Sequence, residues 1–159
     1  MFQLFQRKKE QLILFAPVKG KVVDITNVPD VVFSKKMLGD GLGVEPDENV
    51  ITAPCDGTII LVAKTLHAVA IEAQGVEILI HIGIDTVMLD GRGFTPHVNM
   101  GDIVKQGDAL ITFDKDYILQ QGKSVMTPIV LTNMEKSVNR IEKRFNSSDG
   151  TIMGIEVRK

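Results

Sequence analysis

From Leu12 onward, short apolar runs alternate with residues that turn the chain. The interruptions fall at Gly20, at Asn27 and Pro29, from Gly39 to Gly43, from Pro46 to Asn49 and at Asp56-Gly57. They continue at Gly75, Gly91 to Gly93, Gly101-Asp102 and Gly107-Asp108. Strands broken this often predict an all-β sandwich or barrel rather than βαβ units, which need longer helical crossovers. Helical character is confined to two short stretches towards the C-terminal third. Asp116 to Gln121 ends at Gly122; Asn133 to Arg144 has Asn133 as its N-cap, Glu135 in the first turn and cations in the last.

One apolar run carries chemistry. Val76-Glu77-Ile78-Leu79-Ile80-His81-Ile82-Gly83-Ile84-Asp85 reads as a strand buried on both faces, and an imidazole placed there must be hydrogen-bonded or used. His67 heads a second such run, Thr65 to Glu72, fourteen residues upstream of His81. The short linker Ala73-Gln74-Gly75 suits a hairpin, which would bring the two imidazoles together. Neighbouring histidines suit either a metal or a charged group in transfer.

The chain repeats itself. Ala16-Pro17-Val18-Lys19-Gly20-Lys21-Val22-Val23 returns as Ala53-Pro54-Cys55-Asp56-Gly57-Thr58-Ile59-Ile60, each a proline-opened turn, a glycine and an apolar strand. Such a repeat predicts a duplicated half-barrel with sheets packed face to face.

With 159 residues the chain is long enough for one ordinary domain, placed at 12–159, after an N-terminal segment 1–11 expected to be frayed. A formal net charge of −2 gives no field that would draw nucleic acid. The single cysteine, Cys55, excludes an internal disulfide, suits a reducing cytoplasm and reads as a small buried hydrophobe. No run has the length of a membrane span, and the start lacks the order of a secretory signal. Phe2, Leu4 and Phe5 before three cations offer at most marginal affinity for an anionic membrane. A cytoplasmic location is expected.

The phrase His81-Ile82-Gly83-Ile84-Asp85-Thr86-Val87 resembles the active-site signature of the glucose-family enzyme IIA of the bacterial phosphoenolpyruvate-dependent sugar phosphotransferase system. The resemblance extends over Pro29-Asp30-Val31-Val32-Phe33, Gly39-Asp40-Gly41, Ala53-Pro54, Asp56-Gly57-Thr58, Thr65 with His67-Ala68, Gly91 with Gly93-Phe94, and Thr127-Pro128. It implies an antiparallel β-sandwich with internal duplication, the duplicated hybrid motif. It also implies a phosphoryl relay in which HPr, charged by enzyme I, phosphorylates His81, and His81 passes the group to a cysteine on the IIB domain of a sugar permease. Histidine is well suited to such a relay, because with an ordinary pKa of about 6.5 roughly three-quarters of imidazoles are neutral nucleophiles at pH 7. On the same basis His67 is expected to donate to the phosphoryl oxygens, Thr65 to orient His67, and Gly83 to let the backbone turn. Asp85, with Asp30 and Glu72, is expected to face basic residues of HPr, where complementary charge mainly speeds encounter. No cofactor is expected. Zinc shared by His67, His81 and a partner's carboxylate is a possibility, as is regulatory binding by the unphosphorylated face.

Several positions depart from the family's habit. The loop between the histidines is one residue shorter than is common, and Ala70 stands where serine is frequent. Met88, Asp90 and Arg92 alter the charge pattern after the signature. These put partner choice, not the chemistry, in question. Three rival functions compete with the relay. A zinc peptidase of related fold needs a third ligand, usually through His-x-His, and the chain has three histidines without that pattern. A lipoyl or biotinyl carrier is prompted by the turn from Gly101 to Leu110, but no lysine between methionines occurs. A binding module that never carries phosphate stays open. His97 reads as a surface loop residue.

Overall fold

The apolar alternation produces thirteen strands among residues 10–159, which the computed structural model describes. They are β1 (Leu12–Phe15), β2 (Gly20–Asp24), β3 (Gly41–Pro46), β4 (Val50–Thr52), β5 (Gly57–Val62), β6 (Ala68–Ala73) and β7 (Val76–His81). After these come β8 (Phe94–Pro96), β9 (Ile103–Val104), β10 (Ala109–Phe113), β11 (Thr127–Leu131), β12 (Val138–Lys143) and β13 (Thr151–Val157). Three short helices, α1 (Val31–Ser34), α2 (Lys115–Gln120) and α3 (Met134–Ser137), and single 3₁₀ turns at Ile25–Asn27 and Thr86–Leu89 fill the connections. The expectations placed on Phe2 to Lys9, including weak membrane contact, lie outside the described residues.

Every strand pairing is antiparallel. A seven-stranded sheet runs β2-β3-β11-β7-β6-β5-β9, and two three-stranded sheets run β4-β10-β8 and β1-β13-β12. Alternate residues of the large sheet (Leu42, Val44, Val69, Ile71, Ile78, Ile80, Ile129) meet Ile51, Leu110 and Phe113 of one small sheet and Leu14, Ile152 and Ile155 of the other in one core. This is the expected sandwich. The opposite face of the large sheet carries a smaller apolar cluster in which Ile25, Val28 and Phe33 cover Val130 and Met126. The duplication is visible as contact between the two proline turns: Phe15 N–H donates to Pro54 O at 2.9 Å, and Thr52 N–H to Pro17 O at 2.7 Å.

The first predicted helix forms one residue early, as α2, because Asp114 accepts from Tyr117 N–H and caps it. The second does not form as predicted. Helix α3 stops at Ser137, and Val138–Lys143 is strand β12, paired along β13. Asn133 makes no side-chain cap. Its Oδ1 accepts instead from Glu77 N–H at 2.9 Å, and its Nδ2 donates to Gly75 O at 2.9 Å. Pairing with a buried partner strand outweighs the modest helix propensity of this segment.

Candidate functional site

The hairpin forms as the glycine-containing linker predicts. Gln74 and Gly75, with φ of 52° and 84°, make a two-residue turn, and β6 and β7 pair from Ala73 opposite Val76 to Ala68 opposite His81. Two positive φ angles are what the twist of a tight hairpin favours. In β7 every second residue is half-buried rather than all being buried, and His81 lies on that half-buried face. The strand therefore presents its last residue to solvent, where the sequence alone placed it in a doubly covered layer.

Past His81 the chain bends sharply. Gly83 has φ +77°, and a Cβ there would stand 2.6 Å from both Ser124 O and Thr86 Cγ2, so glycine is required twice over. This bend carries the Gly83 carbonyl back to His81, whose Nδ1 lies 2.7 Å from it. A carbonyl oxygen only accepts, so Nδ1 bears the proton and Nε2 holds a free lone pair.

His67 sits in the β5–β6 connection rather than in β6. That turn is closed by Leu66 N–H to Ala63 O at 2.8 Å and held in a left-handed conformation at Leu66, φ 62°. Ile82 N–H donates to His67 O at 2.6 Å, tying the two histidine segments by backbone. Thr65 Oγ1 is 2.6 Å from His67 Nδ1. The two imidazole rings meet edge to face, centroids 4.8 Å apart at 80°. On the other side Phe33 of α1 lies against His81, centroids 5.0 Å apart.

The remaining named residues divide. Asp85, in a left-handed conformation at the start of the Thr86–Leu89 turn, makes no capping bond, so its exposed carboxylate is unspent. Asp30 caps α1 by accepting from Val32 N–H at 2.8 Å, and it lies close enough to favour protonation of His81, as does Asp85. Glu72 is not at the site. It lies four residues along β6 from Ala68, roughly 13 Å at the usual strand rise, and accepts from Gly75 N–H at the far turn. His97 is exposed beside Thr112, and Cys55 is buried with its thiol pushed up to about 12 by desolvation. Phe33 is the residue sequence reasoning passed over as chemistry. The signal was the Pro-Asp pair, which starts a helical turn and fixes where the third residue after Asp30 points. Val31, Met37, Val87 and Met88 are exposed apolar side chains on α1, the segment after it and the 3₁₀ turn, the elements that carry Phe33 and follow His81.

Burial sets the charge of the pair. Desolvation, reinforced by the proximity of His81, lowers His67 to about 4. His81 is also lowered by desolvation, against the opposing pull of the Gly83 carbonyl and of Asp30 and Asp85. Both rings are therefore neutral at pH 7. Below about pH 6.5 the unfolded chain takes up protons that folded His67 refuses until about pH 4, so these histidines make stability fall as pH drops through that window. Long-range proton–nitrogen correlation spectra should show His81 as the Nδ1–H tautomer across pH 6–8. In spectra carried to lower pH, His67 should reach half-charge only near pH 4. An ordinary titration of either ring near pH 6.5 would contradict the desolvation of the pair.

Among the described residues no group of three or more His, Cys, Asp or Glu side chains is placed to hold a metal ion. The donors to spare are one nitrogen on each histidine, too few for a resident zinc.

Residues 12–137 match the model of the phosphoenolpyruvate-dependent sugar phosphotransferase system, EIIA 1. The chain is 43% identical over 136 residues to a glucose-specific EIIA component of Oceanobacillus iheyensis, covering 85% of this chain and 82% of that relative. It is 47% identical over 130 residues to a glucosamine-specific EIICBA component of Bacillus subtilis, covering 80% of this chain and 21% of that longer protein. The solved glucose permease IIA of Mycoplasma capricolum superposes with a TM-score of 0.80 at 35% identity, covering 89% of this chain and 94% of that one.

Proposed function

Because this chain belongs to the EIIA 1 family of the phosphoenolpyruvate-dependent sugar phosphotransferase system, we propose that the phosphoryl group it relays is carried on Nε2 of His81. The protein is a phosphocarrier between HPr and the IIB domain of a sugar permease, and so a transferase. The observation that supports His81 as the carrier is the hydrogen bond from its Nδ1 to Gly83 O, which aims the lone pair of the other nitrogen outward.

In the forward step the Nε2 lone pair attacks phosphorus on phospho-HPr. The new N–P bond forms as the bond to the HPr histidine breaks, and no proton need move. Phosphorylation leaves partial positive charge on the imidazole, which the Gly83 carbonyl stabilises through Nδ1–H. Thr65, donating to Nδ1 of His67, holds the His67 proton on Nε2, where it meets the phosphoryl oxygens. Phosphoryl transfer is governed by such positioning and charge stabilisation. On delivery a thiolate of IIB attacks, the N–P bond breaks and Nε2 regains its pair. Asp85 and Asp30 present carboxylates at the mouth of the site for basic groups of the partner, and the exposed apolar side chains of Val31, Met37, Val87 and Met88 supply contact area. Incubation with phosphoenolpyruvate, enzyme I and HPr should add one acid-labile, base-stable phosphoryl group by intact mass. A chain left unmodified would refute the reading.

A second reading concerns the unphosphorylated state. The exposed apolar side chains beside two neutral imidazoles favour binding of a regulatory protein, with zinc bridging His67 and His81 to a partner carboxylate once the His67 proton moves to Nδ1 and the Thr65 hydroxyl accepts it. Calorimetry on the free protein should then find only weak zinc binding, lost in His81→Ala. Tight stoichiometric binding retained in that variant would place the metal elsewhere. Phosphorylation should block such a target by occupying a ligand nitrogen. The location is read as cytoplasmic, in keeping with these partners; no helix among the described residues is long and apolar enough to cross a membrane.

A further inference from the structure

We propose that Lys143 is a positioning residue for the acceptor site, clamping both ends of the excursion 25–40 that lays Phe33 against His81; this rests on the role proposed for His81. The excursion leaves the large sheet after Asp24 of β2 and returns before Gly41 of β3, and Asp24 stands opposite Leu42 in that pair. It carries the site's second wall: Asp30, α1 with Phe33, and the exposed Val31 and Met37. Lys143 comes from β12, in a different sheet and more than a hundred residues on. Its Nζ lies 2.6 Å from Asp24 Oδ1 and 2.7 Å from Asp40 Oδ1, one carboxylate on each stem.

The cluster is largely shielded, with Lys143 16% exposed, Asp24 29% and Asp40 25%, so its interactions are worth more than those of a surface pair. Each carboxylate also orders its own stem. Asp24 accepts from the Thr26 hydroxyl at 2.6 Å and caps the Ile25–Asn27 turn, while Asp40 Oδ1 accepts from Gly41 N–H at 2.8 Å. Asp24 is held at about 2, burial opposing and the Lys143 and Thr26 hydrogen bonds prevailing, so this carboxylate stays charged throughout the working pH range. Without the ammonium two carboxylates would face each other, and among the described residues only the more distant Lys36, 3.7 Å from Asp40, would offset their repulsion. The stems would part, and the Phe33 wall would move from the imidazole.

Amide exchange in Lys143→Met tests this without any phosphoryl transfer. Amides of the excursion, among them Ser34, Lys35 and Met37, should exchange about tenfold faster, a factor between those for losing an exposed and a fully buried charge partner. Those of β6, β7 and β11 should keep their protection. Asp40→Asn, a milder change should the first variant fold poorly, should give the same local pattern, and Lys143→Arg should restore most of the parent's protection. In parallel, KM for phospho-HPr should rise several-fold in Lys143→Met with kcat less affected. Uniformly faster exchange across all strands, or excursion amides protected as in the parent, would overturn the clamp. Loss of phosphorylation in the parent protein would instead strike the role of His81 and leave the exchange result standing.

Discussion

His81→Ala should fold normally and accept no phosphoryl group. The residue ends β7 on its half-buried face, so alanine loses the ring contacts with Phe33 and His67 and the hydrogen bond to Gly83 O but opens no cavity in the main core. The cost to stability should be about 1 kcal/mol, as for substitutions outside the close-packed interior. The chemical loss should be complete. His67 is close by, but in the proposed arrangement Thr65 donates to its Nδ1 and the proton sits on the remaining nitrogen, which leaves no lone pair to attack phosphorus. A denaturation midpoint lowered by no more than that cost checks the folding, and intact mass after incubation with phospho-HPr checks the chemistry. Phosphoryl incorporation persisting in this variant would move the acceptor to another residue.

His67→Gln should separate taking the group from giving it away. Acceptance exchanges one imidazole for another as phosphoryl carrier, a nearly balanced step. Delivery brings an anionic thiolate against an anionic phosphoryl group, so a fixed donor on the equatorial oxygens matters more there. Glutamine keeps a donor but loses the Thr65 anchor that fixes its direction. Removing a positioned donor of this kind typically costs about 10²–10³ in rate. Rapid-quench transfer from the phosphorylated variant to a IIB domain should show that loss, while phosphorylation by HPr still goes to completion. Equal delivery rates would make His67 a structural residue.

The pairing of the histidines is legible in the sequence because a short turn between two apolar runs leaves one arrangement, and the turn chemistry of Gln74-Gly75 supports it. The duplicated proline turns likewise announce a sandwich. The C-terminal stretch from Asn133 misleads because its helical cues are local, whereas β12 exists only by pairing with β13 some fifteen residues later. Glu72 is assigned to the partner face by the resemblance; counting along β6 from the turn places it at the opposite end. For Phe33 the Pro-Asp pair marks only the local turn, and its place against His81 arrives through tertiary packing; the Gly83 carbonyl comes through a backbone bend with no side chain to mark it.

The hairpin also separates what evolution can lengthen from what it cannot. Both histidines stand at its open mouth, and Gln74 and Gly75 close it at the other end. A residue gained or lost at that turn is absorbed there, so lineages can differ in the spacing between the histidines while their imidazoles stay edge to face. Within β7 the same change would be ruinous. A shift of one position would exchange His81 with Ile80 or Ile82, driving the nucleophile into the core and an isoleucine to the surface.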